Sequence, residues 1–139
     1  MIQYITEEVA SPKFDKRRTN NWIKDVARLH GHKTGDIAYI FCNDERILEV
    51  NRQYLQHDYY TDIITFDYSD EKTISGDIFI SLDTVKSNAE EFDIPFLDEL
   101  NRILIHGILH LCGHDDKTPE LRIQMTNLEN EALDLLKKQ

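Results

Sequence analysis

The stretch His106-Gly-Ile-Leu-His-Leu-Cys-Gly-His-Asp-Asp116 decides the fold of this chain. It begins inside a long apolar segment, residues 96–112, in which large aliphatic side chains recur at intervals of three and four residues. This spacing predicts a buried helix. The recurring residues are Leu97, Leu100, Ile103, Leu104, Ile108 and Leu111. Gly113 is expected to end the helix, because glycine readily adopts the left-handed conformation that turns the chain.

The helix carries two histidines on one face. His106 and His110 are four residues apart, so their imidazoles can bind the same metal ion. A third ligand from the following loop would give the three-ligand site with one open position that is typical of catalytic zinc. His114 and Asp116 are both candidates, and Asp116 is favoured because metzincin zinc proteases place a ligand ten residues after the first histidine. A histidine pair at this spacing is often accidental, but an apolar helix has little reason to contain one.

The zinc-protease signature H-E-x-x-H has a glutamate as general base directly after its first histidine. Gly107 occupies that position here. Glycine can act neither as acid nor as base. Activation of water would therefore depend on the metal alone, on another residue or on the substrate.

The motif around His106 resembles the HGxLHLxGxDH motif of the YbeY family, bacterial factors of ribosomal RNA maturation. Residues 60–66, YTDIITF, are similar to the family's PTDVLSF segment, and residues 76–81, GDIFIS, to its GDIxIS strand. The spacing of the three segments also matches, so the resemblance covers roughly residues 20 to 135. The chain departs from the family twice. Asp116 replaces the last motif histidine, and Leu55 replaces the arginine of a Y-R-x-x-D run.

The resemblance implies a metal-dependent, single-strand-specific endoribonuclease that acts on small-subunit ribosomal RNA in ribosome biogenesis. One Zn²⁺ ion per chain would be held by His106, His110 and Asp116. Either activated water or the 2′-hydroxyl of the RNA would attack phosphorus, and the second route suits the missing glutamate better. Two alternatives stay open: a metal-binding ribosome-assembly factor without catalytic activity, and a zinc peptidase of metzincin-like build.

Two further residues are candidates for catalysis. Arg102 lies one helical turn before His106 on the same face, where it would hold a substrate phosphate or form a surface ion pair. Asp115 is adjacent to the site and would shuttle a proton or point away. Asp62 and Asp77 are candidates for orienting a histidine by accepting its second N–H, or for stabilising strand ends. The remaining histidines, His30, His32 and His57, are expected to face solvent.

Length and composition indicate a single domain, residues 1–139. A hydrophobic content of 40% is typical of a globular protein. No apolar run reaches the length of a membrane span, and the N-terminus lacks the features of a secretion signal. Cys42 and Cys112 lie in apolar stretches, which favours reduced, buried thiols. These features are those expected of a cytoplasmic protein.

The net charge of −10 is unfavourable for binding nucleic acid. Residues 1–35, however, contain seven lysines and arginines against four acidic residues, a net of +3. This section, together with the charge of a bound metal, would hold RNA on an otherwise acidic protein. The alternative is an ordinary solvated helix surface.

Hydrophobic periodicity predicts nine elements in the order strand, helix, strand, helix, strand, strand, helix, helix, helix. The predicted ranges are 2–6, 16–30, 36–42, 45–56, 61–68, 73–80, a helix after Ser81, the apolar helix after Pro95, and a helix from Pro119. The short connection between the two adjacent strands predicts an antiparallel hairpin. The fold class expected is therefore α+β, a mixed, mostly four-stranded sheet covered by helices, with a central helix carrying the metal-binding histidines.

Overall fold

A computed structural model describes residues 1–55 and 61–139. Its elements follow the predicted order. They are β1 (Ile2–Thr6), α1 (Lys16–Leu29), β2 (Lys33–Cys42), α2 (Asp44–Leu55), β3 (Ile63–Asp67), β4 (Thr73–Ser81), α3 (Leu82–Glu91), α4 (Phe96–Leu111) and α5 (Pro119–Lys137). Gln56, the last residue of the second predicted helix, lies outside the described residues, as does His57.

The four strands form one mixed sheet in the order β1-β2-β4-β3. Strand β2 is parallel to both β1 and β4, whereas β3 and β4 form the predicted antiparallel hairpin. The prediction of an α+β domain with a mixed four-stranded sheet is confirmed. Strand β2 begins at Lys33, three residues earlier than predicted, because Lys33 and Thr34 pair with the start of β4. This pairing between distant segments is invisible to local periodicity.

Helices cover the sheet on both faces. Helix α4 packs against β3 and β4 on one face and also contacts α1, α3 and α5. Helix α2 contacts β3 and β4 as well, and its Ile47 and Val50 form a separate small core with Cys42 and Ile64. The sequence predicted that the helix carrying His106 and His110 is central to the fold. This is confirmed, since α4 contributes many residues to the main hydrophobic cluster.

Local sequence determines where α4 begins and ends. Pro95 occupies the N-cap, and Asp98 and Glu99 in the first turn complement the positive end of the helix dipole. The helix ends at Leu111, and Gly113 adopts a φ of 97° as predicted. Helix α5 then begins after Thr118, whose Oγ1 accepts a hydrogen bond from the Leu121 N–H at 3.1 Å. The short connection places α5 beside α4.

The described parts of the chain, on either side of the gap at 56–60, contain no helix that is long and apolar enough to cross a membrane.

Candidate metal centre

Three side chains converge where α4 meets the loop that follows it. The Nε2 atoms of His106 and His110 lie 2.9 Å apart. Asp116 Oδ2 lies 3.4 Å from His106 Nε2 and 3.6 Å from His110 Nε2. Among the described residues, these are the His, Cys, Asp or Glu side chains that form a group of three with all donor atoms within 4.8 Å of one another. The structure thus brings together the three predicted ligands.

The triangle of donor atoms has dimensions close to those needed to hold one metal ion. Tetrahedral zinc with bonds of 2.0–2.2 Å to nitrogen and oxygen separates any two donors by about 3.3 to 3.5 Å. The observed edges of 2.9, 3.4 and 3.6 Å differ from this by a few tenths of an ångström. All three side chains are partly buried, with 19%, 27% and 35% of their surface exposed. The group can therefore hold an ion and leave one side open to substrate.

A residue absent from the sequence-based site, Glu129, orients the first histidine. Its Oε2 lies 2.6 Å from His106 Nδ1, and its side chain is only 9% exposed. An imidazole that donates Nδ1–H to a carboxylate keeps the lone pair of Nε2 free for a metal. The sequence contained a signal for it, because Glu129 lies between Met125 and Ala132 on the buried face of α5. A carboxylate at a core position of a helix requires a partner.

Arg102 is linked to the same carboxylate. Its Nη1 donates to Glu129 Oε1 at 2.9 Å, and its Nη2 donates to Asn130 Oδ1 at 2.8 Å. Arg102 therefore forms an ion pair, as one of the two interpretations expected, but its partner is the buried Glu129 and not a surface residue. A direct contact between Arg102 and a substrate phosphate stays a prediction.

The two histidines differ in their affinity for protons. Burial disfavours the charged form of His106, but the hydrogen bond and charge of Glu129, together with Asp116, outweigh this and raise its pKa. Burial and the charge of His106 lower the pKa of His110. At neutral pH, His110 therefore presents the neutral imidazole that a metal requires.

Asp115 stabilises the loop that carries Asp116. Its Oδ1 accepts the backbone N–H of Asp116 at 2.6 Å and that of Lys117 at 3.0 Å. The Asp115 carboxylate therefore forms hydrogen bonds within its own turn. Its role as a proton shuttle stays a prediction.

His114, the alternative third ligand, points toward a different partner. Its Nε2 lies 2.9 Å from Nδ1 of His30. His30 and His32 were expected to face solvent, but both are partly buried. For His30 the reason is that it caps α1 where that helix meets the loop after α4, a contact between residues 84 positions apart.

The two aspartates singled out in the sequence occupy different surroundings. Asp62 lies close enough to His106 for each charge to affect the other's pKa, and burial raises the pKa of Asp62. Asp77 accepts a hydrogen bond from the Tyr68 hydroxyl at 3.3 Å. The carboxylate that holds a ligand histidine through its second nitrogen is Glu129.

Gly107 faces the sheet rather than the metal centre. A methyl group placed on it would lie 3.0 Å from Ile78 Cδ1 and 3.3 Å from Ile63 Cδ1. A glutamate at this position would therefore enter the apolar core. The missing protease base is a consequence of how α4 packs, and this counts against the peptidase alternative.

A groove of about 390 Å³ leads from the metal centre along the edge strand β3. It is bounded by His110, by β3 and by the C-terminal end of α2, including Leu55. Its other lining residues are Asn51, Thr61, Ile63, Ile64, Thr65 and Asp67. Leu55, which replaces the family arginine, thus lies on the wall of the groove that reaches a predicted metal ligand.

Comparison with known proteins gives consistent results. The family model described as "Endoribonuclease YbeY" matches residues 4–137. An endoribonuclease YbeY from Phocaeicola vulgatus is 62% identical over 136 residues, which are 98% of this chain and 99% of that protein. The corresponding protein of Bacteroides thetaiotaomicron is 61% identical, with coverage of 95% and 96%.

A solved structure supports the fold. The solution structure of a Thermotoga maritima protein superimposes with a TM-score of 0.65 at 26% sequence identity. The match covers 99% of this chain and 93% of the other. The similarity therefore extends over the sheet and the helices alike.

Proposed function

The chain belongs to the YbeY family of endoribonucleases, and from this premise we propose that it is a zinc-dependent endoribonuclease of ribosomal RNA maturation. Its substrate would be single-stranded RNA within ribosomal particles in the cytoplasm. The metal ligands would be His106, His110 and Asp116, with one ion per chain.

The observation that supports this proposal is the close grouping of the donor atoms of His106, His110 and Asp116, together with the contact between Glu129 and His106. Three donor atoms lie within 4.8 Å of one another on a partly open surface. Glu129 Oε2, 2.6 Å from His106 Nδ1, favours the orientation and tautomer that leave Nε2 free for a metal. A bound divalent ion would supply a Lewis acid at a phosphate oxygen. The chain's own residues fix the position of that charge beside the groove along β3.

We propose that the RNA supplies its own nucleophile. Position 107 cannot hold a general base, because its side chain would enter the core against Ile78. The 2′-hydroxyl would lose its proton and attack the adjacent phosphorus, and the 5′-oxygen would leave and take up a proton, giving a 2′,3′-cyclic phosphate and a 5′-hydroxyl end. A substrate with a deoxyribose at the scissile position should then remain uncut, whereas cleavage of DNA would contradict this route.

The first test is the metal content of the purified protein after extensive dialysis, which retains only tightly bound metal. Wild-type protein is expected to keep about one zinc ion per chain, as a three-ligand site requires. Asp116→Ala should lose it and His114→Ala should keep it, because His114 is directed toward His30. Zinc lost from His114→Ala but kept by Asp116→Ala would reverse the assignment of the third ligand.

The RNA-cleavage assay follows with the same proteins. Loss of cleavage in Asp116→Ala together with its zinc, and cleavage retained by His114→Ala, would support the endonuclease. A direct role of Arg102 or Asp115 is tested by Arg102→Gln and Asp115→Asn at saturating zinc. A fall in turnover without loss of metal would support contact with the RNA.

One observation favours a second candidate, an assembly factor that binds RNA without cutting it. Leu55 on the groove wall cannot pair with phosphate as the family arginine would. His110→Ala separates the candidates, because an assembly factor that stays folded should keep RNA binding, whereas an endonuclease should lose turnover.

A further inference from the structure

A pair of histidines outside the metal centre faces one another across two segments of the chain. His114 Nε2 lies 2.9 Å from His30 Nδ1. Their rings are nearly perpendicular, at 82°, with centroids 4.8 Å apart. We infer that His30 and His114 form a second, weaker site for a divalent transition-metal ion such as Zn²⁺ or Cu²⁺.

The geometry of this pair repeats that of the two helix histidines in the first centre. The nitrogens of His106 and His110 are also 2.9 Å apart, and their rings are inclined at 81° with centroids 4.5 Å apart. Two imidazoles on a tetrahedral ion place their nitrogens about 3.3 Å apart. A movement of a few tenths of an ångström would therefore admit an ion between His30 and His114.

Both histidines are held in place by their backbones. The His30 N–H, at the C-cap of α1, donates to the carbonyls of Val26 and Ala27 at 3.2 and 3.1 Å. The His114 N–H donates to the carbonyl of Leu109 at 3.0 Å, directly after the turn at Gly113. Ligands whose backbones are already ordered lose little conformational entropy when they bind.

The surroundings favour the form of imidazole that binds metal. Burial lowers the pKa of His30, and the neighbouring His114 lowers it further, which favours the neutral ring. The carboxylate that acts on His30 is Glu131, an exposed residue of α5. Rotation of Glu131 toward the pair would supply a third donor, and imidazole with carboxylate suits zinc and copper.

The second site should bind more weakly than the first. Within residues 1–55 and 61–139, a group of three donor atoms already within 4.8 Å of one another occurs at His106, His110 and Asp116 and not around His30. The second ion would have two protein ligands already in place, and its remaining ligands would have to move toward it. The competing explanation for the short distance is a simple N–H···N hydrogen bond between neutral rings, which requires no ion.

The test is equilibrium dialysis of the full-length protein against rising Zn²⁺, with metal measured per chain. Wild-type protein should bind a second equivalent after the first, giving about two ions per chain. His30→Gln and His114→Gln should lose the weaker equivalent and keep the tight one. His32→Gln is the matched control, since it removes the imidazole two residues along from His30 and leaves the contact between His30 and His114 intact, and it should keep both.

Copper gives a spectroscopic readout that does not depend on activity. In protein that carries His106→Ala and His110→Ala, which remove the imidazoles of the tight site, added Cu²⁺ should give an electron paramagnetic resonance signal split by imidazole nitrogens. Adding His32→Gln should leave this signal, and adding His30→Gln should abolish it. Circular dichroism and thermal melting check that each variant is folded.

Two results would overturn the inference: saturation of the wild type at a single ion, or a weaker equivalent that survives in both folded variants, His30→Gln and His114→Gln. Either would leave the hydrogen bond as the explanation of the contact. His110→Ala keeps the two proposals separate, because it should lose the tight ion and retain the weaker one. The endonuclease and the second site can thus fail independently.

Discussion

At the scale of single residues, the third ligand depends on where two side chains point after the turn at Gly113. His114 and Asp116 are both plausible from spacing alone. The structure directs Asp116 Oδ2 to within 3.4 Å of His106 Nε2 and directs His114 toward His30. The difference arises because α1 offers His114 a partner, whereas Asp116 follows two residues later and turns back over α4.

The role of Glu129 gives the first prediction. Glu129→Gln keeps the shape of the side chain but removes the charge that fixes the tautomer of His106. Loss of such an outer-shell partner typically weakens metal binding by about 10- to 100-fold. We expect a reduction of that size in zinc affinity, measured by competition with a chromophoric chelator.

Asp134→Asn is the control for Glu129→Gln, because Asp134 is an exposed acid on the same helix. It should leave the zinc affinity unchanged. Equal losses in both variants would mean that the general charge of α5, and not the contact with His106, determines affinity.

The raised pKa of His106 gives a prediction for the metal-free protein. A histidine with a pKa above its usual 6.5 in the folded state stabilises the fold below that pH, and the contribution is lost as the pH rises through the folded-state pKa. Glu129→Gln removes the main group that raises it. The stability difference between wild type and variant should therefore be largest below about pH 6.5 and smaller at pH 8.5.

Urea unfolding at several pH values, in the presence of a chelator, measures this difference. His110, whose pKa is lowered first by burial, has the opposite dependence, and this burial contribution is the same in both proteins and cancels. A stability difference that grows with pH would contradict the assignment.

At the scale of elements, the packing of α4 on β3 and β4 determines what position 107 can hold. Gly107→Glu would place an unpaired carboxylate against Ile63 and Ile78, and an uncompensated buried charge costs about 3–5 kcal/mol. We expect a loss of that size in the free energy of unfolding and no peptidase activity.

Gly107→Ala is the milder companion to this variant. Crowding from the methyl group costs about 1–3 kcal/mol, and the higher helix propensity of alanine returns about 1 kcal/mol. A small net loss is therefore expected in urea unfolding. A Gly107→Glu protein as stable as the wild type would show that the side chain at this position reaches solvent or the metal centre.

Features that depend on neighbouring residues could be predicted from the sequence, whereas contacts between distant parts of the chain could not. Helix α4, its end at Gly113, the start of α5 at Pro119 and the loop carrying Asp116 were accessible because each depends on residues close together in the chain. The contact between Glu129 and His106 joins two helices across 23 residues. The contact between His114 and His30 joins segments 84 residues apart. Neither leaves a periodic signal, although a glutamate on the buried face of α5 was a visible anomaly.

At the scale of the whole molecule, charge and metal are connected. The net charge of −10 repels RNA, and several arginines are engaged with acids, as in the pairs Arg28–Asp25, Arg46–Glu7 and Arg102–Glu129. A divalent ion would add local positive charge where acidic groups otherwise dominate. It would also connect two parts of the fold, since its ligands come from α4 and from the loop leading to α5.

This connection gives the last prediction. An ion that binds only the folded chain stabilises it by RT ln(1 + [L]/Kd), about 2.7 kcal/mol when free zinc is 100 times Kd. For a domain of 139 residues this corresponds to an increase in Tm of roughly 6 to 12 °C. Asp116→Ala should lose most of the increase, because the ligand that joins the loop to α4 is gone.

Asp115→Asn provides the matched control, since it alters the neighbouring carboxylate and leaves the donor triangle intact. Its Tm without metal should fall slightly, because its Oδ1 accepts the N–H groups of Asp116 and Lys117, but zinc should raise it almost as far as in the wild type. If zinc raised the Tm of Asp116→Ala as much as that of Asp115→Asn, the stabilising ion would lie elsewhere. The loop after α4 would then be only a neighbour of the metal and not part of its site.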